Sequence, residues 1–132
     1  MSSFSEQTRF SLEDGILCAL REGQESPARA LSDVRTCIQR ILEHQTLFVL
    51  VINRTTGILN FTDFMALAEE WRDFTLKSHL KIAFLDEKPS GPSDIAILES
   101  ICSIKGFDIR FFKDETLARK YLQEQIIKNS QH

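Results

Sequence analysis

The run Leu47-Phe-Val-Leu-Val-Ile52 constrains this chain more than any other feature. It is apolar at every position, rich in β-branched residues, bounded by polar residues and too short for a buried helix. A strand with no polar face is covered on both sides, as in the middle of a parallel sheet. Parallel neighbours need crossover connections, usually helices. Strand-like and helix-like segments should therefore alternate around it.

They do. Arg9-Phe-Ser-Leu12, Glu13-Asp-Gly15 and Ile16-Leu-Cys-Ala-Leu20 read as a β-hairpin around a tight Asp-Gly turn. Ser26-Pro27 pairs a cap residue with proline at the first helical position. Leu31, Val34, Ile38, Ile41 and Leu42 keep helical spacing, so a helix is expected over 27–44. Arg54 to Asn60 then reads as a loop, with Thr62 capping a helix to Ser78 whose apolar positions are Phe64, Met65, Ala68, Trp71 and either Phe74 or Thr75.

The unit repeats. Lys81-Ile-Ala-Phe-Leu85 is strand-like, and Asp86 to Pro92 is a loop. Ser93 or Ser90 caps a helix with Ile95, Leu98, Ile101 and Cys102 inward and Gly106 as terminator. Phe107 to Phe112 alternates enough for a strand near an edge. Asp114 caps a last helix with Leu117, Ala118, Tyr121, Leu122 and Ile126 inward. The expected order is β-β-α-β-α-β-α-β-α: an α/β fold with a mostly parallel sheet, an antiparallel N-terminal strand and helices covering the sheet. At 132 residues the expectation is one domain, frayed over 1–7 and 128–132.

Composition narrows the functional classes. With 42% hydrophobic and 27% charged residues the chain is an ordinary globular one. A formal charge of −3 with scattered lysines and arginines does not suit nucleic acid. Cys18, Cys37 and Cys102 lie far apart in apolar stretches, which favours core packing in a reducing compartment over disulfides or zinc. No signal-peptide pattern opens the sequence and no apolar run is long enough to span a membrane, so a cytoplasmic location is expected.

The segment Lys81-Ile-Ala-Phe-Leu-Asp86, followed by a helix and Phe107-Asp-Ile-Arg-Phe-Phe-Lys-Asp-Glu-Thr-Leu-Ala-Arg-Lys-Tyr-Leu122, resembles the C-terminal half of SpoIIAA-like (STAS-like) domains. Gly15-Ile-Leu, Leu47 to Asn53 and Asn60-Phe-Thr-Asp63 follow in that family's order, so the resemblance covers nearly the whole chain. It implies the SpoIIAA-like fold, a bacterial origin and a regulatory role without catalysis, exerted through an unidentified protein partner or a homodimer. Relatives are switched by phosphorylation at the start of the helix after the central strand. The position here is Thr62, although the glycine of the family pattern has no counterpart.

Several surfaces are candidates. Thr62 is a phosphoacceptor by resemblance and a helix cap by position. Thr55, Thr56, Asp86, Lys88, Ser90 and Gly91 form candidate anion-binding loops, since open α/β sheets bind ligands beyond the C-terminal strand ends. Phe61, Phe64, Trp71 and Phe74 cannot share one narrow helical stripe, so any left outside would form an interface or line a pocket. His44, His79 and His132 have no nucleophile and orienting acid at a recognisable motif. No catalytic residue, metal site or cofactor is expected. The alternative function is binding of a small apolar or lipid-like ligand, by analogy with CRAL-TRIO domains. A cavity between the Phe61–Phe74 helix and the sheet would favour it.

Overall fold

The computed structural model describes residues 8–57, 59–87 and 109–130, with the side chains of Asp73 and residues 75–78 left aside. Strands β1 (Thr8–Glu13) and β2 (Ile16–Gln24) form the N-terminal hairpin. Asp14 and Gly15 both have positive φ, 55° and 81°, as a tight hairpin turn that matches strand twist requires. Helix α1 (Pro27–His44) starts as the sequence indicates, with Ser26 accepting from the backbone N–H of Arg29. Then come β3 (Phe48–Thr56), α2 (Phe61–Ser78), β4 (Lys81–Asp86), β5 (Ile109–Phe112) and α3 (Glu115–Ser130).

The sheet order is β1-β2-β3-β4-β5. β1 pairs antiparallel with β2, and the other pairs are parallel. The protein is thus an α/β fold with a five-stranded, mostly parallel sheet and three helices among the described residues. β3 is central and buried on both faces, as its composition requires.

Two apolar layers flank the sheet. On one face Ile16, Cys18, Leu50, Ile52, Ala83 and Leu85 meet Ala118 and Leu122 of α3. On the other, Leu17, Val49 and Ile82 meet Cys37 and Ile41 of α1, with Trp71 and Phe74 of α2 packed alongside. Ala30, Leu59, Phe64 and Ala68 extend that second layer. Among the described residues no helix is long and apolar enough to cross a membrane.

The structure corrects several expectations. β3 continues four residues past Ile52, because Arg21 to Gln24 of β2 pair with Asn53 to Thr56 and satisfy their backbone groups. Thr55 and Thr56 are strand residues, not loop residues. The cap of α2 is Asn60, not Thr62: Asn60 Oδ1 accepts from Asp63 N at 2.8 Å, and Asp63 Oδ2 accepts from Asn60 N at 3.0 Å. Leu42 and Leu117 are exposed, 63% and 56%, on the flanks of stripes drawn too wide. α3 runs on through Lys128 to Ser130 where fraying was expected. Lys88, Ser90, Gly91, the helix expected around Ile95 to Cys102, Gly106, and residues 1–7 and 131–132 lie outside the described residues, as does the Thr75 side chain.

Candidate functional site

Alternation along the strands sorts the α1/α2 face of the sheet into rows. Leu12, Leu17, Val49, Ile82 and Ile109 are in register across the five strands. Two residues further along β2 to β5 lies the row Phe10, Ala19, Val51, Phe84 and Phe111. Two further still lies a polar row, Thr8, Arg21, Asn53 and Asp86. The face changes from aliphatic to aromatic to polar toward the C-terminal ends of the parallel strands, where open α/β sheets take ligands.

The helices above contribute matching stripes. Ala30, Asp33, Val34 and Cys37 of α1, and Phe64, Leu67, Ala68 and Trp71 of α2, each follow i, i+3, i+4, i+7 spacing toward the sheet. Between these walls lies a cavity of about 130 Å³. Three of the residues that line it carry only a methyl group: Ala19 on β2, Ala30 on α1 and Ala68 on α2. Its lining is mainly apolar, with Phe10, Phe64, Trp71, Phe84 and Phe111 as aromatic surface and the polar row closing one end. Phe84 and Phe111 lie with ring centroids 5.7 Å apart.

At the polar end Arg21 is the hub. Its Nη1 and Nη2 donate to the two carboxylate oxygens of Glu25, each at 2.7 Å. Nε donates to Asp33 Oδ2 at 2.8 Å, and Nη1 also donates to Asn53 Oδ1 at 3.0 Å. Asp33 Oδ2 further accepts from Thr8 Oγ1 at 2.7 Å, with Arg29 Nε 3.8 Å away. Asn53 accepts from Thr55 Oγ1 at 3.1 Å and directs Nδ2 toward Asp86 Oδ1 at 3.4 Å. Burial works against the charged guanidinium of Arg21, yet its bonds to Glu25 and Asp33 outweigh that and hold its pKa above the usual arginine value. Cys37 faces the same space as a neutral thiol: burial, with Asp33 nearby, pushes it up to about 12.

Of the residues singled out in the sequence, the structure brings Phe64, Trp71 and Asp86 to this cavity. Phe74 packs in the apolar layer instead. Phe61 is 52% exposed and Thr62 is exposed beside it in the first turn of α2. Thr55 is fully buried beneath Asn53, and Thr56 is exposed at the end of β3, so they do not form an anion loop together. Arg21, Glu25, Asp33 and Asn53 were missed. One signal was present: Arg21 continues the alternation of Leu17 and Ala19, so a charge falls on the core-facing side of a strand.

A second recess, of about 150 Å³, lies at the opposite ends of β3 and β4. Its walls include the exposed side chains of His79, Lys128 and Asn129, and among the described residues that line it there is no buried polar group to orient a ligand. Among the described residues no group of three or more His, Cys, Asp or Glu side chains is placed to hold a metal ion. No family model matches the chain, and a search of curated proteins returned no match.

Proposed function

We propose that the domain binds a small, largely apolar molecule between the sheet and helices α1 and α2, without catalysing a reaction on it. The observation that supports this reading is the cavity of about 130 Å³, with an aromatic body and one polar end. Apolar cavities of this size, about 150 Å³, accept a single-ring hydrocarbon.

Native mass spectrometry of the protein purified from cells tests the reading. A small mass that survives purification and leaves on unfolding is expected. A bare chain whose melting temperature does not move with single-ring apolar compounds would overturn it.

A second reading keeps the chain as a SpoIIAA-like regulatory module in the cytoplasm that acts through a protein partner or a homodimer. It is favoured by Phe61, whose ring stands 52% exposed at the start of α2 beside Thr62. Light scattering on the wild type and on Phe61→Asp tests it. A dimer lost in the variant is the supporting result, and a monomer with no change of surface behaviour removes the homodimer.

A further inference from the structure

Strand β1 is an edge of the sheet, with no strand beyond it among the described residues. Its register with β2 runs from Thr8↔Arg21 to Glu13↔Ile16 without a bulge. In a hairpin closed by two residues, the pair flanking the turn exchanges both backbone hydrogen bonds, and such pairs then alternate. Glu13, Ser11 and Arg9 therefore direct their N–H and C=O groups to β2, while Leu12, Phe10 and Thr8 direct theirs outward. An outward row of this kind is a template for another strand unless proline, lysine, a bulge or a covering element blunts it. Thr8-Arg-Phe-Ser-Leu-Glu13 has neither proline nor lysine, and its charges are one of each sign. Leu12 stands on this edge 46% exposed. The opposite edge, β5, offers only four residues.

The edge is complementary to itself. Two copies of β1 laid antiparallel about a two-fold axis must set outward-facing residues opposite one another, which leaves registers centred on a single residue. With the axis at Ser11, Phe10 meets Leu12 of the second copy and Arg9 meets Glu13 of the second copy, each twice by symmetry. Phe10 and Leu12 form the pair that exchanges backbone bonds, and their contact covers the exposed leucine. Arg9 and Glu13 form the other kind of pair, in which side chains approach more closely and opposite charges attract. An axis at Phe10 or Leu12 sets Arg9 or Glu13 opposite Ser11 instead. Within the chain Arg9 bonds to Glu22 at 2.9 Å and Glu13 lies 3.3 Å from Arg119, yet their side chains stay 67% and 46% exposed. A guanidinium has five donors and a carboxylate about four acceptor positions, so a pair between copies adds to those bonds.

We propose that a second copy of this chain docks on β1, antiparallel about Ser11, and joins the two five-stranded sheets into one. The surface is separate from the ligand cavity and from Phe61, and the proposal rests on neither reading above. A contact of one strand per copy is small, so the dimer is expected to dissociate on dilution. Sedimentation velocity of the full chain over a concentration series reads it. The wild type is expected to pass from one chain to two and no further, because an isologous contact closes at two. Arg9→Glu and Glu13→Arg each set like charges opposite one another, and each alone is expected to weaken the dimer about tenfold. Mixed in equal amounts, the two variants restore both pairs of opposite charge, and the dimer is expected to return. A misfolded variant could not produce that recovery. Leu12→Pro removes an outward N–H that β2 does not use, and is expected to leave a monomer with unchanged far-ultraviolet circular dichroism. A wild type that stays monomeric at every concentration overturns the proposal. So does a dimer that both charge variants leave intact, that does not return on mixing them, or that Phe61→Asp abolishes.

Discussion

Arg21 occupies a strand position that faces the helices, where its neighbours in alternation are Leu17 and Ala19. A charge is held there because Glu25, Asp33 and Asn53 satisfy it, from the β2–α1 junction, α1 and β3 respectively. Such a pair adds little net stability over an apolar replacement, but loss of one partner strands the other. Arg21→Met, which takes the guanidinium from the buried Glu25 and from Asp33 together, is therefore expected to lower unfolding stability by about 3–5 kcal/mol in urea titration, whereas Glu25→Ala leaves Arg21 bonded to Asp33 and Asn53 and costs less. The buried thiols give a second residue-scale expectation. Burial, aided by the Glu13 carboxylate, pushes Cys18 up to about 11, and burial, aided by Asp33, pushes Cys37 up to about 12, from an ordinary 9.0. Both folded pKa values are raised, so their contribution is complete below pH 9 and is lost as pH rises from 9 through 11 to 12. The urea midpoint should fall over that window. Peptide mapping after iodoacetamide at pH 8 should find Cys18 and Cys37 unmodified in the native protein and alkylated in urea.

At the scale of elements, local chemistry sets the starts of helices more firmly than the ends of strands. Ser26-Pro27 placed α1 correctly because a cap and a proline act within one turn. α2 has two polar candidates for its cap, Asn60 and Thr62, and the Asp63 carboxylate decides between them by bonding back to the Asn60 N–H. Asn60→Ala is accordingly expected to cost about 1 kcal/mol in denaturant melts and Thr62→Ala a few tenths at most. Equal effects would contradict this assignment of the cap. The extension of β3 through Asn53-Arg-Thr-Thr56 was illegible because those residues carry no apolar signal. They are strand because β2 supplies a ladder as far as Gln24, which is a property of the pair. Leu42 and Leu117 point outward for a similar reason: helical spacing defines a stripe, but its width depends on what packs against it.

At the scale of the molecule, the cavity sets stability against binding. Ala68 borders it from α2, so a larger apolar side chain there would extend toward that space. Ala68→Leu is expected to raise the melting temperature of the ligand-free protein by a few degrees, at about 0.5–2 kcal/mol for a filled cavity, and to abolish the bound mass. A variant that melts lower and still carries ligand would place the binding space elsewhere. The sequence alone determined the alternation of strands and helices, the hairpin, the buried central strand and the mostly parallel sheet, because these follow from the periodicity of apolar residues and from short-range turn and cap chemistry. It also brought Phe64, Trp71 and Asp86 forward as candidates, though for three separate reasons. Only the tertiary structure decided that they share one space, that Ala19, Ala30 and Ala68 line it with them, and that Arg21, Asn53 and Asp86 stand in register at its end. These residues lie far apart in the chain, and strand register and helix placement, which no local pattern encodes, are what bring them together.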